Sequence, residues 1–288
     1  MADRSEVTAS TERETPQHRL LVPEPADPSS DANTGSAPSP LIICFHGSGE
    51  SCSPSWDALA AQLVRQTRLR VLLYERGPSN PRPEEATAAL RAYLETIDSR
   101  SSRDTENLCR EKGMRDGYLL VAHSYGGAFA RAFMRVELAS VVGAVLVETG
   151  QEGGLDPKVG AAQLRRCVMG DRPLCVVRGN TLIGKWKQLE ENERAARASG
   201  DEARLEALRA ERTMLRMSDE EDERLKRAQL RLSRRHEFVV LRDVGHHVVR
   251  DRPDEIVRAV QWVLDHPVPM RRGKWWSRVL EKVSLISR

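Results

Sequence analysis

The stretch Tyr118-Leu119-Leu120-Val121-Ala122-His123-Ser124-Tyr125-Gly126-Gly127 reads as a buried strand that stops sharply and runs on into a helix. Its first four residues form a short apolar run, as a strand covered on both faces requires. A serine on a sharp strand-to-helix turn is held in a strained backbone with its hydroxyl clear of the sheet. Residues two positions to either side must be small because neighbouring backbone passes close by. Gly126 meets that need, and Ala122 departs from the more usual glycine by one methyl. The helix start also places the Tyr125 amide where it can donate to a developing oxyanion. The plainer alternative is an ordinary exposed serine in a turn.

On either side of this stretch, short apolar runs alternate with helical periodicity. Leu41-Ile42-Ile43-Cys44-Phe45, Arg70–Tyr74, Val141–Val147, Leu174-Cys175-Val176-Val177 and Phe238-Val239-Val240-Leu241 read as strands. A helix capped by Ser53, with Pro54 in its first turn, carries Trp56, Leu59, Ala60 and Leu63 on one face. Another opens at Pro83, and Asp254–Leu264 closes the alternation. This order predicts an α/β fold, a mostly parallel sheet with helices on both faces. In such sheets the chemistry gathers at the carboxyl ends of the strands.

Two further motifs lie at such ends. His46-Gly47-Ser48-Gly49 follows the strand that begins at Leu41. Its glycines let the backbone turn so that an amide, that of Ser48, faces the nucleophile, which gives Ser48 and Tyr125 as the two oxyanion donors. His46, before the turn, reads as a hydrogen-bonding support of the loop. Asp243-Val244-Gly245-His246-His247 follows the last strand. An imidazole there is on the same edge of the sheet as Ser124 and can take its proton. His246, directly after the glycine, is preferred, and His247 flanks it.

Together, a strand ending in His-Gly-x-Gly, a serine elbow and a late Gly-His resemble the α/β-hydrolase superfamily over about residues 41–265. The resemblance implies the chain order serine, acid, histidine, and Glu75-Arg76-Gly77 resembles the family's Asp/Glu-Arg-Gly turn, taken here as structural. Many members carry the acid a few residues past the strand that corresponds to Leu174–Val177. Here that segment, Arg178 to Lys185, has no carboxylate. Other members carry the acid at the end of the preceding strand, which here ends Leu146-Val147-Glu148-Thr149. Glu148 therefore leads, followed by Glu152 and then Glu190, with pairing of Glu148 to Arg178 as the structural alternative.

The expected reaction is hydrolysis of an ester or thioester of a small organic substrate through a Ser124 acyl-enzyme, with His246 as base and Glu148 as acid. No cofactor or metal is implied. A rival of another class is a catalytically silent protein of the same fold that binds a ligand or partner. A carbon–carbon hydrolase or acyltransferase on the same triad is a further enzymatic alternative. Cys52, close to the oxyanion loop, is either a pocket residue or an incidental thiol.

Composition bounds the rest. The 288 residues are 40% apolar and 30% charged, with a net charge of +3, which describes a globular domain and gives no polyanion-binding field. Nucleic acid is therefore not an expected partner. Five cysteines without CxxC spacing read as free thiols in a reducing compartment, the cytoplasm. No secretory signal is visible at the start of the chain. Residues 1–40 read as a mostly disordered extension in which only residues 18–22 can add a strand, and 41–266 as the hydrolase domain. Residues 182–235 read as a charged helical insertion before the last strand, either a solvated face or a lid. A joint is expected at Ser199-Gly200-Asp201, and Ser218 with Glu221 forms a capping box. The tail, 267–288, is a basic amphipathic helix suited to weak membrane or protein contact. Oligomeric state is not legible.

Overall fold

The computed structural model describes residues 18–23, 40–76, 81–98, 117–150 and 153–268. Seven strands form one sheet: β1 (Arg19–Leu21), β2 (Leu41–Phe45), β3 (Val71–Tyr74), β4 (Tyr118–His123), β5 (Val141–Val147), β6 (Leu174–Arg178) and β7 (His236–Val240). Their order is β1-β3-β2-β4-β5-β6-β7. β1 runs antiparallel to β3, and every other pair is parallel. The fold predicted from the alternation is the one found. Most of residues 1–40, together with Gly77, Cys109, Glu152 and the tail from 269 onward, lie outside the described residues.

The apolar runs are strands because both faces of the sheet are covered. In β2, Leu41, Ile43 and Phe45 face one layer while Ile42 and Cys44 face the other. The first layer is formed by α2 (Pro83–Asp98) and α3 (Gly126–Glu137), which bring in Leu90, Phe129 and Phe133. The second is formed by α1 (Asp57–Thr67) and the C-terminal helix α8 (Pro253–Asp265), which bring in Leu59, Leu63, Ile256 and Val260. The period-2 exposure of the strand and the 3.6-residue stripe of each helix thus meet in two cores.

Between β5 and β6 lies α4 (Pro157–Arg165), and just before α8 a single turn, α7 (Val248–Asp251). The insertion consists of two helices, α5 (Ile183–Ser199) and α6 (Glu202–Ala228), followed by a 3-10 turn at Gln229–Leu232. The joint falls where expected, with Gly200 left-handed at φ 68° and Asp201 capping α6 by accepting from the Arg204 amide. Part of the apolar stripe goes into the hairpin itself: Leu208 and Leu215 pack on Leu189 and Ala196 of α5.

Two local expectations are corrected. Helix α1 begins at Asp57 and not at Ser53, because Ser53 spends its hydroxyl on the Asp57 carboxylate (3.0 Å) in a preceding turn. Ser218 is no cap. It lies inside α6, and its hydroxyl donates back to the Met214 carbonyl at 2.9 Å, a bond open to any helical serine.

Candidate active site

Four consecutive strand ends build the site. β4 ends at His123, and Ser124 follows in a left-handed conformation, φ 52°, which is costly for a residue with a side chain. The sheet holds it there: the Ser124 amide donates to the Val147 carbonyl at 3.0 Å. Gly126 then begins α3 against the end of β2. A Cβ on Gly126 would lie 2.2 Å from the Phe45 carbonyl oxygen, so only glycine fits. Ala122 is fully buried and its methyl is accommodated.

One strand over, Glu148 follows β5 with φ 54°, and its amide donates to the Val177 carbonyl at 2.9 Å. Two neighbouring strands therefore end in the same way, each with a strained residue whose backbone extends the ladder by one bond. The loop after β7 supplies His246. It is held against the loop after β6, where the Asn180 amide donates to the Val244 carbonyl (2.7 Å), and a Cβ on Gly179 would strike the Gly245 carbonyl at 2.4 Å.

These placements bring Ser124, His246 and Glu148 together. His246 Nε2 lies 3.0 Å from Ser124 Oγ, and His246 Nδ1 lies 3.1 Å from Glu148 Oε2. The Glu148 side chain has no exposed surface. It accepts bonds from the Gly179 amide at Oε1 (2.7 Å) and the Thr181 hydroxyl at Oε2 (2.5 Å), and the Lys226 ammonium stands 3.4 Å from Oε1. Burial by itself pushes this carboxyl up. The bond to His246, the Lys226 charge and the bonds from Thr181 and Gly179 outweigh it and hold the group at about 2, down from 4.5. An ionised carboxylate only accepts, so His246 Nδ1 carries the proton and bare Nε2 accepts from the Ser124 hydroxyl.

That depressed carboxyl links the site to stability. The folded state favours the anion, so the stabilisation is complete above the ordinary carboxylate range and is lost as the pH falls through about 2. Between pH 5 and 2, urea unfolding should show the wild type losing about 3 kcal/mol more than Glu148→Gln. Equal losses would mean that Glu148 is not held as an anion.

The other expected residues sit as follows. Ser48 and Tyr125 lie at the two turns that follow β2 and β4, Ser48 exposed and Tyr125 half-buried. His46 is fully buried, with Nδ1 2.9 Å from the Gly47 carbonyl and Nε2 3.1 Å from Glu75. His247 flanks the site and pairs with Glu50 at 3.3 Å. Glu190 is exposed on α5, and Glu152 lies outside the described residues. Arg178 is not the partner of Glu148; it binds Asp219 (2.5 Å), Asp222 (2.9 Å) and Glu223 (3.4 Å) of α6. Cys52 is a core thiol beside Trp56, pushed well up by burial.

Several contacts at the site carried no signal in the sequence. Arg76, read as part of a structural turn, donates from Nη1 to the His46 carbonyl and from Nη2 to the Gly47 carbonyl, both at 2.8 Å. With these two carbonyls drawn to the guanidinium, the loop backbone is fixed behind Gly47. His123 is buried, and its Nε2 donates to the His246 carbonyl at 2.8 Å, tying the elbow to the histidine loop. Thr181 and Lys226 act on Glu148 across 33 and 78 positions of sequence, separations at which no local pattern is visible.

One group of described residues has metal-donor chemistry: His46, Cys52 and Glu75, with donor atoms within 4.8 Å of one another. The set does not suit a cation. The Arg76 guanidinium is 3.2 Å from His46 Nδ1, and the Cys52 thiol is spent on the Tyr74 carbonyl at 3.6 Å. Among the described residues no helix is long and apolar enough to cross a membrane.

Residues 42–259 match the model of the alpha/beta hydrolase family. The chain belongs to that family and is a hydrolytic enzyme. No curated protein matches it. Among solved structures it is similar to a monoacylglycerol lipase from Paleococcus ferrophilus, at 13% identity over 88% of this chain and 100% of that one, TM-score 0.51. It is also similar to Est1E from Butyrivibrio proteoclasticus, solved with ferulic acid bound (12% identity, 87% and 94% covered, TM-score 0.47). A third is a dienelactone hydrolase from Anabaena variabilis (14% identity, 90% and 95% covered, TM-score 0.45). At these identities the likeness is one of fold.

Proposed function

We propose that the protein hydrolyses carboxylic esters or thioesters of small organic substrates through a Ser124 acyl-enzyme. The observation that carries this reading is the continuous relay from Ser124 Oγ through His246 to Glu148, with contacts of 3.0 and 3.1 Å. His246 Nε2 removes the serine proton as Oγ attacks the carbonyl carbon, and Glu148 stabilises the imidazolium that forms. The amides of Ser48 and Tyr125 receive the negative charge on the carbonyl oxygen; losing one such donor costs about 3 kcal/mol in the transition state. The imidazolium then gives its proton to the departing alkoxide or thiolate. Water enters, His246 takes its proton, and a second tetrahedral intermediate collapses to acid and free Ser124.

Ester and thioester leaving groups need little assistance, which favours them over amides as substrates. The sequence pattern around Ser124 also favours acyl chemistry over reactions that rely on an aspartate at the elbow. Buried free thiols at Cys44, Cys52 and Cys175 support a reducing compartment such as the cytoplasm. Stopped-flow hydrolysis of p-nitrophenyl acetate and butyrate tests the mechanism: a burst of p-nitrophenol of up to one equivalent per chain, followed by a slower steady state, is the expected result. Turnover without a burst, unchanged in a Ser124→Ala variant, would rule out the acyl-enzyme.

A further inference from the structure

The insertion between β6 and β7 reaches the acid of the site from behind. Lys226, in the last turn of α6, is 3% exposed at its side chain, and its ammonium is 3.4 Å from Glu148 Oε1. The same ammonium donates to Asp222, one turn earlier on α6. Asp222 is in turn bound by Arg178 Nε at the end of β6, and Arg178 Nη2 binds Asp219 at 2.5 Å. One residue past the acid, Thr149 is tied to the same helix end. Its hydroxyl donates to Gln229 Oε1 and its carbonyl accepts from Gln229 Nε2, both at 2.8 Å. The end of α6 is thus fastened to β5 and β6 at the residues that frame Glu148.

The two carboxylate oxygens are dressed differently. Oε2 faces the Thr181 hydroxyl and His246 Nδ1, while Oε1 faces the Gly179 amide and Lys226. A buried carboxylate free to rotate would present either oxygen, or a poor angle, to the imidazole. A buried ammonium on one oxygen removes that freedom and compensates the charge where water cannot. Most buried lysines are costly unless paired, and this one is paired on both sides.

We propose that Lys226 is a positioning residue for the Glu148–His246 pair, fixing Oε1 so that Oε2 stays turned to His246 Nδ1. The charged insertion thereby belongs to the catalytic apparatus as a buttress of the acid. The inference rests on Ser124, His246 and Glu148 acting as proposed above.

The charge balance gives it a distinctive signature. Among the described residues, Lys226 is paired with Asp222 on its own helix and Glu148 from β5; Arg178 of β6 lies beyond Asp222, and His246 beyond Glu148. Removing a cation that touches both carboxylates leaves excess negative charge, so the Glu148–His246 pair holds its protons more tightly. The acidic limb of the pH–rate profile therefore moves to higher pH. A residue that only packed would lower the rate evenly across the profile.

The test is the second-order rate of fluorophosphonate labelling of the full chain between pH 5 and 9, which needs no knowledge of the substrate. It is run on wild type, Lys226→Met, Lys226→Arg, Glu148→Gln and the Lys226→Met/Glu148→Gln double variant. Expected for Lys226→Met is an acidic limb shifted up by about one pH unit and a plateau lowered by about 10–100-fold. Lys226→Arg should restore the profile, and in the Glu148→Gln background the Lys226→Met change should alter the rate less than about 2-fold. If Lys226→Met does not melt cooperatively, Lys226→Gln, which keeps a donor without the charge, gives the same readout. An unshifted limb, or an equal loss with and without Glu148, overturns the role of Lys226 and leaves the hydrolase reading standing. A wild type that does not label overturns both.

Discussion

Replacing Ser124 by alanine is expected to lower kcat for p-nitrophenyl butyrate by about 10^4–10^6-fold. KM should change little and the melting temperature should not fall. The size follows from the chemistry: without Oγ there is no covalent step, and what survives is binding and whatever polarisation the Ser48 and Tyr125 amides supply to attack by water. The stability expectation follows from the backbone. Ser124 is at φ 52° on a turn held by its amide bond to Val147, and alanine adopts that conformation at a similar cost. A variant that kept more than a few per cent of wild-type kcat would place the nucleophile elsewhere.

The second large effect is expected of Glu148→Gln, a loss of about 10^4-fold in kcat. The glutamine amide is nearly the same size and can stay between Gly179, Thr181 and His246. It no longer accepts at both oxygens, however, and its NH2 group facing His246 Nδ1 favours the wrong tautomer, with the proton on Nε2 where Ser124 must deliver its own. The imidazolium formed in the transition state also loses its counter-charge. Glu148→Asp separates these two causes: it keeps the charge but shortens the reach across the 3.1 Å contact, and should recover part of the loss. If Glu148→Gln retained nearly full kcat at pH 7, the 3.1 Å contact would be structural and the pair Ser124–His246 would act alone.

How much of this could be read from the sequence follows the range of the interactions. The strands were legible because each is a short apolar run flanked by turn residues, and the elbow because Ser124 and Gly126 fall between such a strand and an amphipathic helix. Glu148 was reached only through the family resemblance, as the carboxylate at the end of the strand Val141–Val147, with Glu152 and Glu190 ranked behind it. The start of α1 was misplaced because Ser53 and Pro54 carry helix-opening chemistry that is spent on a turn before Asp57. Ser218 was misread because a hydroxyl three residues ahead of Glu221 looks the same whether it caps a helix or bonds back four residues within one.

The role of Lys226 and the contacts of His123 and Arg76 were invisible for a different reason. Each contacts a residue brought near only by the folded sheet: Lys226 meets Glu148, His123 the carbonyl of His246, Arg76 the carbonyls of His46 and Gly47. Nothing local separates Lys226 from the other cations of a helix that is charged on most of its surface. The insertion therefore read as a solvated face or a lid, and its third possibility, a support for the acid, appears only when the end of α6 is seen against β5 and β6.

The most direct test of the central claim is to treat the full chain with a fluorophosphonate at pH 8 and locate the adduct by peptide mass spectrometry. The account predicts one adduct per chain, on Ser124, formed at a rate reduced by at least about 10^3-fold in His246→Ala. An adduct on another serine, or labelling of Ser124 that is indifferent to His246, would contradict it.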